Sequence, residues 1–433
     1  MPFNEALAAI HAANAAHGEG LSTLTAANQP PLSEARVHEE WKRTSKGGTR
    51  VSAHKVVVPP FNERLEMGVG ELKRLAKRVE KPQEKASIFF SLFVRDALTV
   101  AFAVFFITIL TSIFGYQASS CAIGLFVMIL CLRYAAFNFN PRSNVIVIAL
   151  SICILTLAPL FVAQTSPWVR FIVNTTSLMS LMVLTADNPR MGNGGTYGFI
   201  YCFSAGMMYD VQITYVDIQL RVLLMFISFI IATHIYWRHR FIKTDRTLKD
   251  ALEEISLSNE KTQYHVRAAL GISLVVLLCE LLGFKRILWV GLVANSMLTP
   301  YGLKVRDRMW WRIAFVGLGT AIFYLTFPMI PPALYVPLSI TMSLCCGMCS
   351  KYYWTQMFNT FGALLVSISV LNLEEATFWR LVDNACGAIF AFLFSLAFAH
   401  AIDAYTKHHK DADKNKFEQD PLLESELKIP AGL

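Results

Sequence analysis

The chain has 433 residues, of which 54% are apolar and only 16% are charged. Soluble domains carry about 25% charged residues, so this composition excludes an ordinary soluble domain and predicts a membrane protein. The net charge of +8 comes from the two ends and the loops. Lys and Arg there are typical of the cytoplasmic flanks of membrane helices, which argues against nucleic-acid binding.

Residues 1–86 are predicted to form a cytoplasmic, partly disordered region. Up to about residue 64, Pro-Pro and Gly-Gly dipeptides alternate with charged residues, a composition typical of linkers. From Met67 to Glu80, apolar residues recur at helical spacing with Lys and Arg between them. This pattern predicts a basic amphipathic helix. The helix either lies on anionic lipid or is a solvated lead-in to the first membrane span.

Twelve apolar segments follow, most of them near the ~20 residues that cross a bilayer. Six lie in residues 87–238, at 97–114, 119–137, 144–163, 169–186, 197–208 and 220–237, and six in residues 265–403, at 267–283, 288–299, 313–327, 333–348, 355–371 and 381–401. In hydrocarbon every backbone polar group must be paired within its own segment. The sequence therefore predicts an all-α integral membrane protein with about twelve transmembrane helices. A cytoplasmic helical connector (239–264) joins the halves, and a cytoplasmic tail (404–433) ends the chain.

Lys and Arg fall mainly in alternate loops, which places both termini in the cytoplasm. The two halves also show weak internal similarity. Residues 95–98 (RDAL) align with residues 267–270 (RAAL), and Arg221 aligns with Arg380. Both halves begin on the same side of the membrane. This predicts two six-helix repeats related about an axis along the membrane normal, with a substrate path near their interface.

Two carboxylates lie in apolar segments of the second half and are candidates for proton coupling. Glu280 is the sharper candidate, because a charge in hydrocarbon is costly and burial favours the protonated form. The alternative is an ordinary pair with Lys285, about one helical turn further on. Asp383 is the second candidate, although a pair with Arg380 within its own helix is expected there.

Cations and polar groups near helix ends are candidates for an anion path. An organic anion would need cations and helix N-termini facing it. The candidates are Arg95, Arg267, Arg312, Arg380 and Asn295. For each arginine taken singly, the alternative is that it anchors the topology at the membrane surface.

Three glycines in the second half are predicted to allow close helix approach, namely Gly317, Gly319 and Gly387. In the first half, Arg170 and Asp187 bracket the fourth apolar segment. Their positions are compatible with ion pairs to other helices.

The second half carries three motifs in a fixed order. They are RAAL at 267–270, R-x3-R-x4-G-x-G-T-A at 308–321 and R-L-x-D-x3-G-A at 380–388. This pattern resembles the fusaric-acid-resistance family of the aromatic acid exporter superfamily, also described as integral membrane bound transporter domains. The resemblance is best over roughly 265–400 and looser over 88–238, where Leu224 and Ser228 replace the motif's Asp and Gly. It implies export of aromatic or other organic acids, driven in bacterial members by the proton gradient.

The predicted function is therefore secondary transport of organic acid anions out of the cell across the cytoplasmic membrane, coupled to protons. The alternative is a non-transporting membrane scaffold or regulator that acts through its basic cytoplasmic segments. No P-loop or HExxH is visible, and no second Cys-x-x-Cys accompanies the one at residues 346–349, so neither an enzyme nor a cofactor or metal is expected. The expected partners are membrane lipid and a small organic anion, and a homo-oligomer is left open.

Overall fold

The computed structural model describes residues 58–115, 118–135, 137–163, 165–209, 212–239, 244–301, 305–368 and 371–419. The expected disorder of residues 1–57 and the last part of the predicted tail lie outside the described residues. Within the described part, all regular secondary structure is helical.

Fifteen α-helices are described. They are α1 (Phe61–Glu66), α2 (Val69–Arg78), α3 (Pro82–Phe114), α4 (Ser119–Tyr134), α5 (Pro141–Ala163), α6 (Pro167–Thr185), α7 (Asn193–Gly206), α8 (Tyr215–His239), α9 (Leu248–Glu253), α10 (Glu260–Leu281), α11 (Ile287–Leu298), α12 (Val305–Thr326), α13 (Tyr335–Gly347), α14 (Tyr352–Ser367) and α15 (Leu373–Gln419).

Each of the twelve predicted apolar segments lies largely on one helix, α3–α8 in the first half and α10–α15 in the second. Seven of these helices are long and apolar enough to cross a membrane: α3, α5, α6, α8, α10, α12 and α15. The others are shorter. Helix α11 has 12 residues, about 18 Å at 1.5 Å per residue, against about 30 Å for a bilayer core. The chain is thus an all-α, multi-pass membrane protein in which several apolar helices are shorter than a bilayer core.

The predicted basic amphipathic helix is α2. Its apolar residues Val69, Leu72 and Ala76 are buried in one cluster with Ile88 and Leu92 of α3. The apolar face of α2 is therefore covered by protein rather than by lipid. Helix α3 has 33 residues, or about 50 Å, so its first part extends beyond a bilayer core and forms the platform for α2.

Within each half, the helices pack in similar pairs. In the first half, α3 packs on α4, α8 on both α4 and α5, and α7 on both α5 and α6. In the second half, α10 packs on α11, α15 on both α11 and α12, and α14 on both α12 and α13. Between the halves, α6 packs on α10, α3 on α13, and α7 on α11.

The hairpin between α10 and α11 is made by a specific helix ending. Gly283 has φ +73°, a left-handed conformation that favours glycine. The N–H of Gly283 donates to Glu280 O and that of Phe284 to Cys279 O, both at 3.0 Å. This pair of bonds is a Schellman motif, which satisfies the last carbonyls of α10. Gly115 follows α3 with φ +77° and ψ 170°, so both helices are followed by a glycine with positive φ, although Gly115 is not in the left-handed helical conformation.

Candidate functional site at the interface of the two halves

The C-terminal end of α11 lies inside the protein, and side chains of neighbouring helices bond its last carbonyls. Arg308 on α12 donates to Ser296 O at 3.0 Å, and Arg267 on α10 donates to Leu298 O at 3.1 Å. A carbonyl left unpaired at a buried helix end would carry a desolvation cost. The two arginines remove that cost and place positive charge where the helix dipole is negative.

Arg312 adds a third guanidinium at this end of α11. Its Nε donates to Asn384 Oδ1 at 3.1 Å and its Nη1 to Tyr352 Oη at 2.9 Å, and Nη1 also donates to Ser296 Oγ. The Arg308 guanidinium lies 3.8 Å from the centre of the Tyr352 ring. These bonds join α11, α12, α14 and α15 into one polar network.

The charge balance at this end of α11 is positive. Within the described part of the chain, neither Arg267 nor Arg308 forms an ion pair with a carboxylate, and the bonds given above go to neutral acceptors. The helix terminus offsets about half a charge. Two buried or half-buried arginines therefore retain positive charge at the boundary between the halves.

Asn295 connects this end of α11 to the first half. Its Nδ2 donates to Gly195 O of α7 at 2.9 Å. The side chain also fills the space in front of Gly198, where a methyl group would overlap the Asn295 amide oxygen. The predicted candidates Asn295, Arg267 and Arg312 thus lie together around the last turn of α11.

Glu280 lies near the opposite ends of the same helices, where it forms an ion pair across the two halves. Arg170 of α6 donates from Nη1 to Glu280 Oε1 at 2.6 Å, and the side chains are only 13% and 10% exposed. The Arg170 guanidinium also lies 4.9 Å from the centre of the Tyr209 ring. The alternative pair with Lys285 is not formed, because Lys285 bonds Glu375 of α15 instead.

A crevice lies behind this ion pair, between α6 and α7 of the first half and α10 and α11 of the second. Asn174, Tyr201 and Tyr209 line one side, and Ser273 and Gly291 line the other. Tyr201 Oη donates to Asn174 Oδ1 at 2.8 Å. The crevice has a volume of about 20 Å³, which is room for about one water molecule and too little for an organic acid.

Asp383 does not form the expected pair with Arg380. It is fully buried on α15, and neither carboxyl oxygen has a hydrogen-bond partner within the described chain. Arg380 lies instead with its guanidinium 5.0 Å from the centre of the Trp289 ring of α11. Asp383 and Arg380 lie one turn apart on α15, as their spacing predicts. Arg380 nevertheless packs against Trp289 of α11 and does not bond Asp383.

Arg95 is separated from the other candidates. It lies on α3 beside Asp96, with 3.5 Å between its Nη1 and Asp96 Oδ1. Asp96 in turn contacts Gly347 at the end of α13. The structure therefore places Arg95 where α3 meets α13 and not at the end of α11.

The three glycines differ in what surrounds them. A methyl group at Gly319 would lie 2.9 Å from Met357 O, and one at Gly387 would lie 3.0 Å from Val293. At Gly317 nothing within the described chain lies within 4 Å of such a group. The predicted close approach is therefore absent at Gly317, whereas the backbone at Gly319 and Gly387 does lie close to a neighbouring helix.

The connector is fastened to the first half by a group of charges. Asp187, just after α6, is bonded by Arg246 at 2.9 Å and by Lys261 at 2.7 Å. Both cations also bond Glu254, at 2.6 and 2.8 Å. Burial alone would raise the pKa of Asp187, but hydrogen bonds from Lys261, Asn138 and Arg246 outweigh it and lower the pKa. Hydrogen bonds from Arg246 and then Lys261 lower the pKa of Glu254 to about 2.

The sequence pattern identified Glu280 and the arginines as candidates, but it did not identify the side chains that form hydrogen bonds with them. Tyr352 begins a run of three aromatic residues (YYW, 352–354), a pattern typical of the membrane–water interface, yet its hydroxyl accepts a hydrogen bond from Arg312. Tyr264 donates a hydrogen bond to Thr299 O at 2.8 Å, and no pattern in the sequence indicated this contact. A tyrosine near a helix start has the same sequence context in both roles, so only the packing distinguishes them.

The fold and this interface define a polytopic helical membrane protein with a polar, arginine-bearing centre. Residues 274–394 match the family model described as "Fusaric acid resistance protein-like". This segment of the second half is therefore similar to the family that the motifs indicated. The match includes Glu280, Asn295, Arg312, Arg380 and Asp383 and leaves out Arg267 and the first half. No curated protein and no solved structure matches the chain.

Proposed function

We propose that the chain is a secondary transporter that exports organic acid anions across the cytoplasmic membrane, coupled to protons. The observation that carries the proposal is the positive charge at the buried end of α11. Arg267 and Arg308 lie there without a carboxylate partner in the described chain, at the boundary between the halves. A carboxylate-bearing substrate would supply the missing negative charge through charge-assisted hydrogen bonds.

The architecture proposed for this transporter has twelve membrane crossings in two parallel repeats, with both termini in the cytoplasm. The matching helix pairs in the two halves support the repeats. So do the positive-φ glycines at 115 and 283 and the buried arginines at equivalent positions, Arg221 and Arg380. Short helices such as α11 and α7 at the repeat interface are the usual setting of substrate sites in transporters of this kind.

Cysteine labelling with a membrane-impermeant thiol reagent tests this topology. In intact cells, a Cys at Thr165 or Asn372 should react, whereas a Cys at Lys249 should react only after the membrane is opened. If positions 165 and 249 react from the same side, the twelve-crossing topology is wrong.

Two carboxyl groups are proposed to serve proton coupling in different ways. Asp383 is fully buried without a hydrogen-bond partner in the described chain, and a charge at such a position costs several kcal/mol. These surroundings favour the protonated form. Glu280 forms an ion pair with Arg170, and this contact offsets the cost of burying the two groups. Protonation of Glu280 would weaken the contact between α6 and α10.

The proposed transport cycle requires the halves to move apart. The crevice between α6, α7, α10 and α11 has room for only about one water molecule. The Arg170–Glu280 ion pair and the hydrogen bond from Asn295 to Gly195 both join the two halves. An organic acid can pass only if these contacts between the halves open in turn, as alternating access requires.

Flux in proteoliposomes tests the function directly. The purified chain should exchange internal and external labelled organic acids from a panel that includes aromatic acids, and a pH gradient should drive net movement. Arg308→Gln should reduce the exchange rate by about tenfold or more, since a charged hydrogen bond contributes ~1.5–3 kcal/mol. Arg306→Gln is the matched control, because Arg306 lies on the same helix with its side chain 66% exposed.

The wild-type measurement tests whether the chain transports organic acids, and the comparison of the two variants tests whether the anion binds at the end of α11. If the wild-type chain moves no acid in the panel, the transporter proposal is wrong and the result favours the alternative of a membrane scaffold. If the wild type transports and Arg308→Gln does so at the same rate as Arg306→Gln, the end of α11 is not the anion site.

A further inference from the structure

The contact of α3 with α13 contains a buried carboxyl group that the proposed function does not use. Asp96 of α3 is only 2% exposed. It lies against Gly347 at the end of α13, where a methyl group on Gly347 would lie 3.3 Å from Asp96 Oδ2. This oxygen has no hydrogen-bond partner within the described chain. Since α3 belongs to the first half and α13 to the second, the carboxyl group of Asp96 lies in a contact between the halves.

The charged groups around Asp96 compensate its charge only weakly. Arg95 Nη1 lies 3.5 Å from Asp96 Oδ1, longer than the 2.7–2.9 Å of a charged hydrogen bond. Lys73 of α2 and Cys349, just after α13, also interact with Asp96 electrostatically. Charged groups on other helices packed against α3 make contacts elsewhere: Arg64 of α1 bonds Ser87, and Arg133 of α4 acts on His239 of α8.

The end of α13 favours the protonated form of Asp96. Two of the last four carbonyls of α13 accept N–H groups of the residues that follow, and the other two, those of Cys345 and Gly347, accept no backbone N–H in the described chain. The partial negative charge of this helix end repels a carboxylate. A protonated carboxyl group instead has an O–H that donates to a carbonyl. Protonation of Asp96 therefore replaces a repulsion between α3 and α13 by a hydrogen bond.

Asp96 and Glu280 lie at opposite ends of the interface between the halves. Gly347, which contacts Asp96, is followed five positions later by Tyr352, part of the arginine network at the C-terminal end of α11. Tyr264 also bonds this end of α11. Glu280 lies 16 positions beyond Tyr264 on α10, a distance of about 24 Å along the helix. Asp96 thus belongs to the arginine-bearing end and Glu280 to the other.

We propose that the contact of α3 with α13 depends on protonation of Asp96, with a response opposite to that of the Arg170–Glu280 pair. Protonated Asp96 donates to the end of α13 and joins the halves at the arginine-bearing end. Protonated Glu280 lacks the charge that attracts Arg170, which weakens the contact of α6 with α10. A fall in pH therefore strengthens one end of the interface and weakens the other. The inference rests on the proposed function only for its role in transport.

Hydrogen–deuterium exchange of the full chain in lipid nanodiscs tests this response at pH 8 and pH 5, after correction for the intrinsic rates. In the wild type, the last turn of α13 should exchange about fivefold more slowly at pH 5, the effect of one hydrogen bond, while the end of α10 exchanges faster. Asp96→Asn, whose amide donates at either pH, should keep α13 slow at both. Asp96→Ala should exchange faster than Asp96→Asn, with no response to pH.

Two further variants complete the test. Glu84→Gln removes a carboxylate from the same helix, where its side chain is 35% exposed, and should respond as the wild type does. Gly347→Ala leaves every charge in place but inserts a methyl group between Asp96 and the end of α13, so it should remove the response even if the Asp96 variants do not fold.

Three results would each overturn the inference: equal exchange of α13 at both pH values in the wild type, no faster exchange at the end of α10 at pH 5, or equal exchange of α13 in Asp96→Asn and Asp96→Ala. The measurement requires no substrate. A wild type that shows the opposite responses at α13 and α10 but moves no organic acid would therefore contradict the transporter proposal and support the inference about Asp96.

Discussion

Replacing either member of the Arg170–Glu280 pair should destabilise the contact between the halves strongly. The two side chains are 13% and 10% exposed, and their nitrogen and oxygen lie 2.6 Å apart. Removal of one partner leaves the other as a buried charge without its counter-charge. We expect Arg170→Gln and Glu280→Gln each to lower the free energy of unfolding by ~3–5 kcal/mol.

The attraction itself can be estimated from this geometry. At 2.6 Å and an effective dielectric constant of about 20, two unit charges attract by about 6 kcal/mol. The cost of taking both groups out of water cancels much of that gain. The double variant Arg170→Gln/Glu280→Gln should therefore recover about 2–3 kcal/mol relative to the sum of the single variants.

Chemical unfolding of the reconstituted protein, followed by Trp fluorescence, measures these free energies. The Lys285–Glu375 pair provides the control, because it joins two segments within the second half and its side chains are 56% and 28% exposed. Its coupling should be at most about 1 kcal/mol. If the single effects at 170 and 280 simply add, the ion pair does not join the halves and the reasoning from its burial is refuted.

Three further outcomes are expected. Gly319→Ala should lower the free energy of unfolding by ~1–3 kcal/mol, because the new methyl group would lie 2.9 Å from Met357 O. Gly317→Ala should be neutral or stabilising, because the new methyl group would have no neighbour within 4 Å in the described chain. Equal effects of the two variants in unfolding assays would contradict the assignment of close helix packing to Gly319 alone of this pair. Asp383→Asn should leave the folded protein intact and abolish transport driven by a pH gradient while substrate exchange survives; full gradient-driven flux would exclude Asp383 as the proton carrier. The pKa values of Asp187 and Glu254 are lowered on folding, that of Glu254 from 4.5 to about 2, so their stabilisation is complete above about pH 4.5 and is lost as the pH falls towards 2. Asp187→Asn should therefore lower the unfolding temperature at pH 7 and narrow the difference between pH 7 and pH 3; an unchanged difference would show that the connector charges do not couple to folding.

The helical segments followed from the sequence, because a chain in hydrocarbon must pair its backbone groups locally. Apolar runs and turn residues are local signals, so α3–α8 and α10–α15 fall on the predicted segments. The left-handed glycine after α10 also follows from a local rule, since the Schellman ending needs only residues 279–284. The presence of Glu280 and Asp383 inside apolar runs marked both as unusual before any contact was known.

The partners of these carboxyl groups were decided by the tertiary structure. Arg170 and Glu280 are 110 positions apart, and no local pattern relates two residues on helices that meet only when the halves pack. For Asp383 the local rule predicted a pair with Arg380, but the Trp289 ring on another helix attracts that guanidinium. Spacing along a helix determines which side chains can meet, and the packing of neighbouring helices determines which of them do.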